Sequence, residues 1–339
     1  MSGASPCLLA INGGSSSIRF AVYEAGKAPR RRLSGAIDRI GEKDAALTVD
    51  GQAGKGPRLP GLAAANHLQA AEVLLDWLEA QPVFASVEAA GHRVVHGMKH
   101  SEPERITKKL LVELRRITPY DPEHLRSEIG LIRAFSRRHP GTPQVACFDT
   151  AFHRTMPPVA RLLPIPRRYA AKGVERYGFH GLSYAYLMEE LLRLDPVLAM
   201  GRVILAHLGN GASLAAVRNG KSVDTSMAFT PTAGLVMSTR TGDLDPGVAY
   251  YLARTEGMSA TRFQRMVNHE SGLLGVSRTS SDVRDLLALE ATDVRAAEAI
   301  ELFCYQARKW IGSFAAVLGG LDTLVFAGGI GENAAVVRE

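Results

Sequence analysis

The feature that most constrains this chain is a pattern written twice. "LLAINGGSSSIRF" (8–20) runs from an apolar stretch into Asn12, two glycines and three serines, then returns to an apolar alternation. "EAGK" follows as a hairpin turn into a third strand. "RVILAHLGNGASLAAVRNGKSVD" (202–224) repeats the order: apolar run, an Asn/Gly/Ser turn at 210–213, an alternating strand, and an Asn219-Gly220 turn. Such a repeat predicts two related halves, each opening on a strand, a polar turn and a hairpin. Because 339 residues also exceed one ordinary core, we expect two domains, over 1–150 and 151–339.

Helices are expected between these strands. "HLQAAEVLLDWLEAQ" (67–81) places its apolar residues at helical spacing, and the valines of "AAGHRVVHG" (89–97) read as a strand reaching a loop. "AAEAIELFCYQARKWIGSFAAVLGG" (296–320) reads as a long amphipathic helix closed by two glycines, with the strand "TLVFAGG" after it. This alternation predicts an α/β architecture.

Composition then removes several function classes. Hydrophobic residues at 46% with 22% charged exclude a disordered or fibrous chain. No apolar run approaches the ~20 residues that span a bilayer, and the first residues do not read as a leader, so we expect a cytoplasmic protein without a membrane partner. Cys7, Cys147 and Cys304 are odd in number and lack C-x-x-C spacing, which suggests neither a disulfide framework nor a zinc site. The net charge of +6 would suit an acidic partner, yet the basic cluster Arg30, Arg31 and Arg32 has no interleaved aromatics. It reads as a solvated face, and no nucleic acid is expected.

Three glycine-rich turns follow apolar runs, at 12–17, 209–213 and 327–335. Such turns expose backbone N–H groups without side-chain obstruction, which suits phosphate oxygens. The P-loop pattern is absent, and "GNGASL" lacks the third glycine of the dinucleotide fingerprint.

In order along the chain stand "INGGSSSIRF", "GHRVVHG", "FDTAFHRTMP", "RYGFHGLS", "HLGNGASL", "STRTGDLDPG" and "FAGGIGEN". This ordered set resembles the acetokinase family, the acetate and propionate kinases. The resemblance implies a two-domain actin-like (ribonuclease H-like) ATPase fold, its duplicated halves flanking a nucleotide cleft. It implies reversible transfer of the ATP γ-phosphoryl group to acetate, giving acetyl phosphate and ADP, with propionate as the nearest alternative acceptor. ATP and ADP would be co-substrates, Mg2+ (or Mn2+) the metal, and a homodimer the assembly. Two other classes stand beside this reading: a nucleotide-binding relative with weak catalysis, and an alcohol kinase using Asp149 as base.

The resemblance also assigns roles. A carboxylate acceptor is already anionic, so the main task is to neutralise charge around two negative partners. Arg93 and Arg240 match the arginines that hold the acceptor carboxylate and the transferring phosphoryl, a task that suits a planar fork of donors. His180 matches the histidine that steadies the transition state, and Asp149 the essential acidic residue that positions magnesium or orients the acceptor. Asn12 matches a metal-holding side chain, with Ser15, Ser17 and Arg19 beside the phosphates. His207, Leu208, Gly209, Asn210 and Gly211 should also meet phosphates. Asp282, Val283 and Arg284 should flank the adenosine, and Gly329, Ile330, Gly331, Glu332 and Asn333 should border the adenine and α-phosphate. Val95, Phe179 and Pro231 match the pocket for the acyl methyl group.

The chain departs from the family pattern in four places. Arg19 stands where most relatives have Lys. Tyr120 stands where "PLHNP" has its His, with His124 the nearby imidazole. Tyr184 replaces the second His of "FHGTSH". Relatives also continue past the position of Glu339 with an acidic magnesium ligand and a helix that returns to the first domain, so the chain is expected to be a fragment or a shortened relative. Arg93→Ala and Arg240→Ala are each expected to lower kcat by about two orders of magnitude or more, with Arg→Lys restoring little. Steady-state kinetics on the folded variants checks this, and near-wild-type turnover would remove that arginine from the reaction.

Overall fold

The computed structural model describes residues 5–339 apart from 15, 16, 43, 52, 53 and 63. The chain divides into two compact units, Met1–Asp149 and Thr150–Glu339. The first is built on β1 (Cys7–Gly13), β2 (Ile18–Glu24), β3 (Arg30–Asp38), β4 (Ala46–Gly51), β5 (Gly54–Pro60), β6 (Val87–Val94), β7 (Glu104–Arg105) and β8 (Gln144–Phe148). They form one sheet in the order β5-β4-β3-β2-β1-β6-β8-β7. The second unit carries β9 (Arg202–Leu208), β10 (Ala212–Arg218), β11 (Lys221–Thr225) and β12 (Thr323–Ala327), in the order β11-β10-β9-β12.

The repeat read from the sequence is a repeat of topology. β1 pairs antiparallel with β2 and parallel with β6; β9 pairs antiparallel with β10 and parallel with β12. Within the two sheets, β3-β2-β1-β6 and β11-β10-β9-β12 are therefore the same arrangement. β1 alternates strictly between buried and exposed residues, so its period of two turns Leu9 and Ile11 to the core and Asn12 away from it. β10 is buried at every position from Ala212 to Val217, as expected of a strand covered on both faces.

Each unit has its own apolar interior. Ile11, Phe20 and Val22 cluster with Leu74, Leu75 and Leu78 of the helix His67–Glu79 and with Phe135 of the helix Leu125–Arg138. Val203, Leu205, Ala215 and Val217 cluster with Tyr184 and Met188 of the helix Gly181–Leu194. The expected long helix spans Val294–Leu318, capped by the Asp293 side chain and ended by Gly319 in the left-handed region. Arg30 and Arg32 both donate to Glu24 Oε2 across β2 and β3, at 2.8 and 2.9 Å, and hold that carboxyl at about 2. Among the described residues no helix is long and apolar enough to cross a membrane.

One expectation is corrected. The stretch 327–335, read as a turn, is mostly a short helix, Gly328–Asn333, that follows β12 directly. Gly328 makes the change of direction at φ +80°, with the place of a Cβ only 2.5 Å from the Leu208 carbonyl oxygen. A side chain there would meet both a strained backbone and a clash with β9. Asn333 then closes the helix by donating from Nδ2 to the Gly329 carbonyl at 2.9 Å.

Candidate active site

In the first unit, the end of β1 and the start of β2 bring Asn12 and Arg19 into register as cross-strand partners, both exposed. The turn between them is closed by Gly14 N–H donating to the Ser17 carbonyl at 2.7 Å. His67 Nε2 donates to the Gly14 carbonyl, an acceptor only, at 2.9 Å, and burial lowers its pKa. Ser15 lies outside the described residues.

Arg93 sits near the end of β6, and Asp149 follows β8 directly. Arg93 Nη2 donates to Asp149 Oδ2 at 2.8 Å, and Nη1 reaches the Gly13 carbonyl at 3.3 Å. The same Nη1 faces Glu128 Oε1 at 3.4 Å. Burial alone would lower the pKa of Arg93, but Asp149 and then Glu128 outweigh it and raise it. Glu128 was not among the residues expected at the site, yet its Oε2 accepts from the Val95 backbone N–H at 2.9 Å. One buried carboxylate thus ties the Arg93 side chain to the backbone of Val95, whose own side chain is buried. The sequence signal was available: Leu125, Glu128, Ile129 and Ile132 form the buried stripe of their helix, with an acid at an apolar position.

The two departures nearby have defined places. The Tyr120 ring lies 5.6 Å from that of His96. His124 is buried with Nδ1 2.9 Å from Asp121 Oδ1, so it serves Asp121.

In the second unit, "YGFHG" bends sharply. Gly178 has φ +73°, and a Cβ there would stand 2.5 Å from both His153 and Thr225, so no other residue fits. His180 follows at φ 59° as the N-cap of the helix Gly181–Leu194, but its side chain makes no cap. Its Nδ1 lies 2.8 Å from Ser213 Oγ, and its ring stands 4.3 Å from that of His207. His207 Nδ1 is in turn 2.9 Å from Ser183 Oγ.

Both imidazoles bring their outer edge, with Nε2, close to the glycines of the second polar turn. The place of a Cβ on Gly211 is 3.2 Å from His180 Nε2 and 3.6 Å from Arg240 Nη1; on Gly209 it is 3.9 Å from His207 Nε2 and 3.8 Å from the Gly329 N. Arg240 is held by donation from Nη1 to the Pro231 carbonyl at 2.9 Å. Asn210, between the two glycines, accepts from Ser238 Oγ at 3.2 Å. The space beside Gly211 is therefore flanked by an imidazole nitrogen and a guanidinium, with no side chain on the glycine to fill it. That is an arrangement for an anion.

A profile described as the acetokinase family matches residues 7–339. The chain belongs to the acetokinase family. It is 44% identical to an acetate kinase of Methylocella silvestris, over 99% of this chain and 85% of that protein. The crystal structure of a propionate kinase from Francisella tularensis superposes with a TM-score of 0.89 at 36% identity, covering 98% of this chain and 86% of that one. The Porphyromonas gingivalis acetate kinase superposes at 0.85 and 35% identity, with 98% and 86% covered. The fold is that of the actin-like ATPases.

The remaining acetokinase positions fall into two groups. Leu208 is buried at the end of β9, and Gly331 packs 3.6 Å from its Cβ, measured from the place of its own missing side chain. Gly329, Glu332 and Asn333 are exposed, with Ile330 half-buried. Asp282 caps the helix Val283–Leu289, accepting from the Arg284 N–H, and the Arg284 side chain turns back onto it at the surface. Val283 is buried, so its contribution is packing. Phe179 is also buried, and its carbonyl is 3.0 Å from His153 Nε2. A cavity of 510 Å³ lined by Ser5, Cys7, Arg32 and Gln81 lies at the opposite end of β1 from Asn12 and touches none of these groups.

Burial pushes the Glu128 carboxyl up to about 8 against the pull of Arg93 and the Val95 N–H, with Asp121 and Asp149 adding like charge. One guanidinium faces several carboxylates, and the cluster retains a proton. Between its ordinary value of 4.5 and about 8, the native state holds a proton that the unfolded chain has released. Stability must therefore fall as pH rises through that window. Thermal melts of wild type and Glu128→Gln from pH 5 to 9 should show the variant gaining on wild type as pH rises. A difference that stays constant with pH would contradict this.

Proposed function

We propose that this acetokinase transfers the γ-phosphoryl group of ATP reversibly to acetate, giving acetyl phosphate and ADP. The observation that carries the reading is the pairing of His180 Nε2 and Arg240 Nη1 on the space beside Gly211. Two donors fixed in advance stabilise charge that develops on a phosphoryl group without reorganising during the reaction. Arg93 takes the acceptor carboxylate, with Val95, Phe179 and Pro231 receiving its methyl group. His207, Gly209, Asn210 and Gly211 take the phosphates, and the segments 281–284 and 329–333 the nucleoside.

The state of Asp149 supports a carboxylate acceptor over an alcohol. A carboxylate already bonded to a guanidinium at 2.8 Å is a weak proton acceptor, and an acetate ion needs no base. Asn12 and Asp149 are the residues we assign to Mg2+. Among the described residues no group of three or more His, Cys, Asp or Glu forms a metal cage. That donor set fits an ion that keeps its water and phosphate ligands. When bound, the ion neutralises phosphate charge. The likeness to a propionate kinase structure at a TM-score of 0.89 supports propionate as the second acceptor, since one methylene is worth only about 1–3 kcal/mol in a pocket. The reading includes a cytoplasmic homodimer, supported by the family resemblance.

Incubation with Mg-ATP, acetate and hydroxylamine tests the reaction class. Acetohydroxamate should accumulate with ADP. ADP without hydroxamate would indicate a phosphate ester or water as acceptor, and unchanged ATP would reduce the chain to a nucleotide binder.

A further inference from the structure

Tyr184 replaces a family histidine, and the roles assigned above make no use of it. It is fully buried on the helix Gly181–Leu194. Its hydroxyl lies 2.5 Å from Ser213 Oγ, and Ser213 Oγ lies 2.8 Å from His180 Nδ1. Ser213 is itself fully buried on β10. A side chain of the helix, one of β10 and the helix's own N-cap residue thus form one hydrogen-bonded row that ends on the inner nitrogen of His180.

We infer that Tyr184 and Ser213 are positioning residues that keep the His180 proton on Nε2, the nitrogen facing the space beside Gly211. The direction of the row follows from its chemistry. A neutral imidazole has one N–H and one lone pair. The Arg240 guanidinium, beside the same space, disfavours a second positive charge there. The phenol is the more acidic of the two hydroxyls, so Tyr184 donates to Ser213. In the row we infer, Ser213 gives its own proton to His180 Nδ1, the other partner of its hydroxyl, and the ring proton sits on Nε2. The opposite direction would turn a lone pair toward the bound anion. Burial makes the row matter, because water is excluded from Ser213 and does not replace a lost partner.

The inference rests on the reading of His180 as a phosphoryl donor, and two separate readouts keep them apart. Ring-15N-labelled histidine in the ligand-free protein at about pH 8 reports the tautomer directly. Wild type should show the proton on Nε2 of His180. Tyr184→Phe, which keeps the ring, and Ser213→Ala should both shift His180 toward a mixture of tautomers. A proton on Nδ1 in wild type, or a tautomer unmoved in both variants, overturns the inference. In the hydroxamate assay, Tyr184→Phe should lower kcat between about ten- and a hundredfold with KM for ATP unchanged. A shifted tautomer with unchanged kcat would leave the row standing and remove His180 from the reaction. If Tyr184→Phe failed to fold by circular dichroism, Ser213→Ala would decide alone.

Discussion

The left-handed backbone of His180 is the constraint on which the second unit's site depends. A non-glycine residue at φ 59° costs on the order of 1–2 kcal/mol. An extended N-cap residue would direct a side chain back to the helix N–H groups. The left-handed one still starts the helix, since its carbonyl accepts from the Tyr184 N–H at 3.0 Å, but its imidazole leaves the helix end for Ser213. Gly178, whose missing side chain makes room for His153 and Thr225, holds the bend from the other side. The contacts around His180 hold its backbone in this conformation against that strain.

The first unit solves a different problem, that of keeping a cation where water is scarce. The Arg93 side chain is 16% exposed and its partners Glu128 and Asp149 are 1% and 3% exposed. Removing either member of the Arg93–Asp149 pair, bonded at 2.8 Å, leaves the other charge uncompensated, which in a buried pair typically costs about 3–5 kcal/mol. Glu128 lowers the freedom of the arrangement further by holding the Val95 N–H with its second oxygen. The guanidinium and the apolar side chain that we propose for the acceptor are therefore held by one group.

Much of this was legible in the sequence. The doubled strand, turn and hairpin pattern translated directly into four strands in the same order in each sheet, because period-two alternation and Asn-Gly turns act over a few residues. The named positions Arg93 and Asp149 do meet, as do His180, Arg240 and Gly211. Three things were not legible. The helix at Gly328–Asn333 depended on how closely Gly328 passes Leu208, a tertiary distance. Glu128 carried a local signal, an acid in an apolar stripe, but its partners lie 33 and 35 residues away. Tyr184 looked like a lost histidine until its hydroxyl was found against Ser213, 29 residues on.

The central claim is that the space beside Gly211 is shaped for a phosphoryl group in transfer, and transition-state binding tests it most directly. Titrating ADP with aluminium fluoride and Mg2+, with and without acetate, measures how much tighter the protein holds the transferring geometry than the ground state. Wild type should bind at least about tenfold tighter when acetate is present. Gly211→Ala, which places a methyl group 3.2 Å from His180 Nε2, should lose that tightening relative to its own affinity for ADP alone. A Gly211→Ala protein that retained the full acetate-dependent gain would contradict the account.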